Sequence, residues 1–454
     1  MNKQRLFAAM PLLLAGLSVI GLAAEKINTP EQSMPHLDGI LKQAVAQSPT
    51  MISRAIDLEL AEQDRITARA GLLPSFVGGA SYYKARDERE DLKQLGMGPL
   101  NVTKIYYNFA ISQPLYHWGD RMNYARMGEI RQSITQGNFQ EAYRKLAQEV
   151  RNQYFRLILD KVRLERSRFY ADFAANQLKQ GEVRLQKKVV SEAQMFTIRM
   201  EAERSQIAAE RGAFDFENDK TTFSRLTGLP PLRDDEIPNT IPPVTVQDQA
   251  IQQSLSEFLA QKDLPSAEAD SYRKLMKIED VTLAITKTRL RPKFGVSIGI
   301  SQDEQSYTLN TAQKYAVQSL FGGVSMSWSI FDGFSANAAL RTQLAKIRQM
   351  RNEYRGLTER LAQQAQSQAR LIGFAGRMLS ITERYLVSGE GNLQSKKAEF
   401  SRGVISEDDL SGAQIGLYDS QIAALGARAD YYNQVCEFLG TVVEDPVLRN
   451  LGNK

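Results

Sequence analysis

The longest regular pattern in the chain has a period of seven. Tyr143, Val150, Leu157, Leu164, Ala171, Leu178 and Leu185 are spaced this way, and Ala365, Ile372, Leu379, Leu386, Leu393 and Phe400 repeat the spacing. A sustained heptad predicts helices that supercoil left-handedly against neighbours. Helix is predicted from about Asp120 to Leu185 and from about Ser335 to Phe400. At 1.5 Å per residue each would reach about 100 Å, longer than any compact domain accommodates. Phe155, Ile158, Val162, Phe169 and Phe173 add a second apolar stripe, so each long helix is expected to touch more than one neighbour. Turn signals at Gln186-Lys187-Lys188 and Ser401-Arg402-Gly403 precede return helices, from about Ser191 to Leu226 and from about Ser406 to Leu439.

Before each long helix the period changes to two. Phe294, Val296, Ile298 and Ile300 alternate with Gly295, Ser297, Gly299 and Ser301, and Val324, Met326, Trp328 and Ile330 alternate with Ser325, Ser327 and Ser329. Ile105, Tyr107, Phe109, Ile111 and Leu115 alternate with polar neighbours, and Phe76, Ala80 and Tyr82 do so more weakly. The alternation predicts strands at about 74–86, 103–116, 292–302 and 317–331, roughly ten residues each. Polar loops are expected at Asp87 to Asn101 and at Asp303 to Lys314. Strands with one apolar face suit either a half-buried soluble sheet or an outer-membrane barrel wall. Tyr116, Trp118, Trp328, Phe331 and Phe334 at the strand ends suit an interfacial aromatic girdle.

These patterns occur twice. Leu146-Ala147-Gln148 returns as Leu361-Ala362-Gln363, Ser205 to Ala209 returns unchanged as Ser420 to Ala424, and Phe223 returns as Phe438, always 215 positions on. Upstream, Ser48-Pro49 predicts a helix start with Ser as cap and Pro at the first position. The expected organisation is a signal peptide at 1–24, a first repeat at 25–228, a Pro-rich linker at 229–246, a second repeat at 247–443 and a frayed tail at 444–454.

Composition narrows the function. Aromatic residues are 8% and charged residues 24%, and the middle segments are rich in Ala, Gln, Arg, Glu and Leu, the bias of long helices. The formal charge of +5 includes Lys3 and Arg5. Basic residues are interleaved with acids, as at Arg199 to Arg204, which reads as a solvated helix face and gives no nucleic-acid partner. Residues 1–24 carry a positive start, an apolar run and small residues fitting cleavage after Ala23 or Ala24, as in a secretory signal; an uncleaved anchor is the alternative. No Cys follows, which excludes an N-terminal lipid anchor. Cys436 lies in an apolar helical pattern and reads as a buried side chain. His36 and His117 lack metal-ligand spacing. The pairs Gly78-Gly79 and Gly322-Gly323 lack a phosphate-loop pattern, and no Ser/His/Asp arrangement is apparent. No enzyme, metal or cofactor is expected.

Four strands cannot close a barrel, and open sheet edges do not exist in lipid; three chains would supply twelve strands. In its duplicated order of helix, Pro, strand, loop, strand, long helix, turn and return helix, nearly the whole mature chain resembles the TolC-like outer membrane efflux protein family. Gln113-Pro114-Leu115-Tyr116 is similar to that family's Q-P-L-F, and Phe331-Asp332-Gly333 to its F-D-G. Gly403 to Ala413 matches the spacing of its second helical-tip segment. The resemblance implies a mainly α fold with a membrane β-barrel portion. Long antiparallel coiled helices would form a periplasmic α-barrel, and four strands per chain would contribute to a trimeric twelve-stranded barrel in outer-membrane lipid. It implies a homotrimer serving as exit duct of a tripartite efflux or type I secretion system, docked to a periplasmic adaptor protein and an inner-membrane pump, without catalysis or cofactor.

The same resemblance suggests sites. Lys187, Lys188, Val189, Arg402, Gly403 and Val404 would face the adaptor, and Lys188 stands where the family often has Gly, so that turn is expected to differ. Asp409 aligns with a family aspartate lining the closed aperture, with Asp408 and Phe400 beside it; Gly412 replaces the second aspartate. The residues themselves, without the resemblance, read as helix caps. A periplasmic or surface coiled-coil protein without a channel is the competing class. A trimeric adhesin of that kind would carry its four strands consecutively at the C-terminus.

Overall fold

The computed structural model describes residues 27–88, 90–96, 98–308, 312–442 and 445–451, and the expected signal peptide lies outside them. The first repeat opens with helices α1 (Pro30–Ser33), α2 (Pro35–Gln47) and α3 (Pro49–Ala70). Each begins on a proline, whose fixed φ and missing N–H suit a first turn. Ser48 precedes α3 but does not cap it. Its hydroxyl donates instead to the Leu226 carbonyl at 2.9 Å, tying this helix start to the end of the return helix.

Strands β1 (Ser75–Asp87) and β2 (Leu100–Tyr116) follow, with a short α4 (Glu90–Gln94) between them. Then come the long α5 (Asp120–Gln186) and the return α6 (Glu192–Thr227). The second repeat holds α7 (Asp248–Ala260), α8 (Ala267–Lys287), β3 (Lys293–Thr308), β4 (Ala312–Ser327), α9 (Ser335–Ser401) and α10 (Glu407–Val442). Helices α5 and α9 have 67 residues each, and α6 and α10 have 36 each. The bounds of α5 and α6 return 215 positions later as those of α9 and α10.

The four strands form one antiparallel sheet in the order β1-β2-β3-β4, so the two hairpins are joined by pairing of β2 with β3. The strands have 13, 17, 16 and 16 residues, longer than the alternation predicts. The polar run expected as a loop from Asp303 is strand through Thr308, because β2 and β4 continue alongside it. At the other end β4 stops at Ser327, opposite Lys293. Pro292 comes next and has no N–H to extend the ladder. Trp328 and Ile330 therefore lie beyond the strand.

Near the turns, α5 packs between α6 and α10, and α10 packs against α9. Nearer the sheet, α3 and α8 take over the flanks of α5, and α8 also meets α9. Two apolar clusters fill the middle. One is built on Tyr143, Val150, Leu157 and Leu164 of α5, the other on Ala365, Ile372 and Leu379 of α9. The heptad seam is thus buried in its central part, and it loosens towards the turns, where Leu178 and Leu185 are half-buried and Phe400 is exposed.

The Pro-rich linker and the tail, which was expected to fray, are both pinned. In the Pro-rich stretch Leu232, Ile237 and Ile241 are buried, and Lys161 Nζ donates to the carbonyls of Asp234 and Ile237. The tail forms a 3-10 helix, Pro446–Leu451. Fully buried Arg151 holds Asp445 just before it through two bonds of 2.8 and 3.0 Å, and also reaches Glu31 at 2.5 Å. One guanidinium therefore ties α1 and the C-terminal 3-10 helix to the middle of α5. Cys436 is buried nearby, and burial pushes its thiol up, which leaves it unreactive.

Candidate functional site: the sheet and the helical tips

The register sorts the strand residues onto two faces. Phe76, Ile111 and Ile298 stand in one row, Phe109, Ile300 and Leu320 in the next, then Val296 with Val324 and Phe294 with Met326. Between these rows, on the opposite face, lie Ser75, Ser112 and Ser297, then Ala110 and Gly299, then Asn108, Ser301 and Ser319. One face is thus mostly apolar and the other mostly small and polar, with Val77 and Phe321 as apolar exceptions in the row of Ala110 and Gly299 and Gln113 as a polar one beside Val296. That is the division a barrel wall needs between lipid and water. The apolar face has no covering layer: Phe76, Val324 and Leu320 are 70%, 70% and 80% exposed.

One residue falls out of phase. Between Pro114 and Tyr116 the register shifts, so Tyr116 takes the place opposite Phe294 and Leu115 becomes the extra residue of a bulge. Pro114 cannot donate to the ladder, which is where bulges form. Leu115 was expected on the alternating apolar face; the bulge removes it.

Each strand passes into its long helix through two consecutive left-handed residues, Trp118 and Gly119 before α5 and Gly333 and Phe334 before α9. These are equivalent positions in the repeats. The tryptophans fasten the junction: Trp118 Nε1 donates to the Pro292 carbonyl at 2.7 Å and Trp328 Nε1 to that of Leu290 at 3.0 Å. Tyr116 lies against Trp118 at 4.9 Å between ring centroids, Arg291 lies over Trp118, and Phe331 meets Phe334 edge-on at 5.3 Å. Tyr116, Trp328 and Phe331 remain exposed at the end of the sheet nearest the long helices. Sequence reasoning missed two ion pairs here, Lys293 with Asp120 at 3.0 Å and Arg289 with Asp332 at 3.4 Å. Neither pair is close in sequence, and no periodicity marks them.

At the far end, both helical pairs turn identically. Lys188 and Gly403 adopt φ of 55° and 72°. The next residues, Val189 and Val404, donate back to the Arg184 and Glu399 carbonyls at 2.9 and 3.0 Å. This is a Schellman closure in both repeats. The expected difference at Lys188 is one of side chain, not of backbone. Lys187, Lys188, Val189, Arg402, Gly403 and Val404 are brought together only within each turn, where Val189 and Val404 are each about 70% exposed.

The return helices are capped alike. In α6 the Ser191 hydroxyl and the Gln194 side chain exchange bonds with each other's backbone N–H. At the equivalent place Asp409 N donates to Ser406 Oγ at 3.2 Å, while Asp409 Oδ2 accepts from Ser406 N at 3.1 Å and Oγ at 2.7 Å. Asp409 is thus the acidic member of a capping box. Asp408 accepts from Gln177 of α5 and so joins the two hairpins. Phe400 sits one turn above Gly403, 42% exposed. Among the described residues no cluster of His, Cys, Asp or Glu could hold a metal, and no helix is long and apolar enough to cross a membrane.

Comparison with known proteins agrees with this arrangement. The profile of the family described as "Outer membrane efflux protein" matches residues 40–212 and 281–437. No curated protein sequence matches the chain. The fold is similar to that of the Campylobacter jejuni CmeC outer membrane channel, with a TM-score of 0.67 at 14% identity over 100% of this chain and 96% of that one. The outer-membrane channel OprN gives 0.66 at 13% identity, covering 94% of each chain. The open state of the Neisseria gonorrhoeae MtrE channel gives 0.60 at 13% identity, over 90% and 89%. With a family match over most of its length and a four-stranded sheet carried on paired long helices, the chain belongs to the outer membrane efflux protein family and is an outer-membrane channel whose helices extend into the periplasm.

Proposed function

We propose that the working unit is a homotrimer serving as the exit duct of a tripartite exporter. The observation that carries this is the sheet with two unpaired edges. Strands β1 and β4 each pair on one side only, and an unpaired edge cannot be left in hydrocarbon. Joining β4 of one chain to β1 of the next closes the sheet, and three chains give about twelve strands, an ordinary size for such barrels. The long helices then continue as a twelve-helix tunnel. A periplasmic adaptor docks on the turns at Lys187 to Val189 and at Arg402 to Val404, and an inner-membrane pump supplies the substrate.

The narrow end lies near Phe400, Asp408 and Asp409. The Ser406 cap engages Asp409 through Oδ2, so capping and lining an aperture are compatible. Three-fold symmetry would make a carboxylate ring that concentrates cations in a narrow opening and weakens with salt. Single-channel recording in planar bilayers tests the reading. The trimer should conduct with cation preference, and Asp408→Ala with Asp409→Ala should lower that preference at low salt. A protein that fractionates outside the outer membrane and never conducts would instead be a structural coiled coil.

A further inference from the structure

Within one chain, the two repeats meet along α5 and α10. That seam is apolar and aromatic. Phe155 stacks on Tyr432 at 5.9 Å, and Phe169 lies against Tyr418 at 5.9 Å. Between them, Val162 and Leu425 belong to the same buried cluster. Just above, Gln148 Nε2 donates to the Asn433 carbonyl at 3.4 Å. Gln148, Phe155, Val162 and Phe169 on α5 step by sevens, as do Tyr418, Leu425 and Tyr432 on α10, with Asn433 next to the last of these.

A shift of 215 carries α5 onto α9, and the reverse shift carries α10 onto α6. In a closed ring of repeats, α9 of one chain would therefore meet α6 of the next as α5 meets α10 within a chain. Both helices are edges of the helical layer, and both carry uncovered apolar residues. Phe214, Ile207 and Phe374 are 70%, 65% and 60% exposed. Their counterparts Ala429, Ile422 and Leu159 belong to, or pack against, the buried cluster between the repeats.

The shift changes the apolar and aromatic part of the seam into charge. Phe155, Val162 and Phe169 become Arg370, Arg377 and Arg384. Tyr432, Leu425 and Tyr418 become Glu217, Glu210 and Glu203. The amide pair is kept, as Gln363 and Asn218. All three arginines and all three glutamates are exposed in the single chain. Arg377 lies over its own Phe374 ring, Arg384 bonds its own helix, Glu210 accepts from Gln206 and Glu217 holds Lys220. Among the described residues none of the three arginines is ion-paired within the chain.

We infer that the α9 arginine ladder of one chain docks on the α6 glutamate ladder of a second copy, pairing Arg370 with Glu217, Arg377 with Glu210 and Arg384 with Glu203. This rests on the ring of identical chains proposed above and specifies the surface that closes it. The charges give the seam a direction. An α9 face repels another α9 face and an α6 face repels another α6 face, so only the head-to-tail arrangement that closes a ring is attractive. The internal seam needs no such selection, because its two sides are already joined by the chain.

Charge reversal tests this in the full-length protein extracted from outer membranes, with the oligomer read by native mass spectrometry. Arg377→Glu and Glu210→Arg should each lower the trimer fraction about tenfold or more, since like charges then face each other at three seams. The two together in one chain should restore it. In a second test, Arg384→Cys with Glu203→Cys should give a covalent trimer on oxidation, and either cysteine alone should not. If the unaltered protein is a trimer but the reversals are harmless and the cysteine pair does not cross-link, the ladder is a solvated face and this inference is overturned while the trimer stands. If the unaltered protein is not a trimer, the proposed function fails first and the inference with it.

Discussion

Lys188 and Gly403 pose the same backbone problem with different side chains. A residue with a Cβ in the left-handed region costs roughly 1–2 kcal/mol, and Lys188 bears that cost at φ 55°. Lys188→Gly is expected to stabilise the folded chain by about 1 kcal/mol, and Gly403→Lys to destabilise it by a similar amount; urea unfolding of the two variants measures both. In the docking proposed above, Lys188 would present the adaptor with a cation at the position where the second turn has Gly403. Asp409 makes a prediction in pH. The Ser406 hydroxyl, and after it the Ser406 backbone N–H, holds its carboxyl below the ordinary carboxylate range. A depressed folded-state pKa contributes stability that is present above the unfolded pKa and lost as pH falls through the folded one. The turn should therefore loosen below about pH 4 and be indifferent to alkali. Hydrogen exchange over Ser401 to Leu410, corrected for intrinsic rates, should show protection falling with acid in the native sequence. In Ser406→Ala it should be lower at neutral pH and change less with acid.

At the scale of elements, the sheet gives the sharpest contrast between neighbouring residues. Val324 stands on the apolar face opposite Val296, and Ser325 stands on the polar face opposite Gly295. Val324→Arg should cost about 2–4 kcal/mol at mid-membrane and Ser325→Arg far less; the amount of folded protein recovered from outer membranes, with urea midpoints, compares them. The long helices were legible in the sequence almost to the residue, because heptads, turn residues and the 215-residue repeat constrain the same boundaries. The strands were legible in phase but not in extent. Alternation marks only the part of a strand with lipid on one side, and the Asp303 to Ser306 run is strand for a different reason, the backbone pairing of β2 beside it. Bulge and strand end were set by Pro114 and Pro292, through hydrogen bonds that sequence periodicity does not report. At the tips, Ser406 and Asp409 were spaced as a capping box, whereas the bond from Gln177 to Asp408 spans two hairpins and left no local signal.

For the molecule as a whole, Arg151 is the residue on which α1 and the C-terminal 3-10 helix converge. Its removal leaves the carboxylates of Glu31 and Asp445, with 10% and 1% side-chain exposure, without their ion-pair partner. Arg151→Leu should destabilise the protein by about 3–5 kcal/mol, with protease cutting first near Asp445 as the earliest sign. The sheet with two free edges has a consequence of another kind, in genetics and in dosage. If the barrel closes from three chains as proposed, a single chain would have no membrane-stable form, insertion would wait for three chains to meet, and the yield of channels should rise more steeply than linearly with expression at low levels. Such a ring would also make damaged alleles dominant. If half the chains carry an edge lesion that lets them join but not close the ring, only about one trimer in eight contains none of them. A cell with one intact copy of the gene should then export almost as poorly as a cell with none.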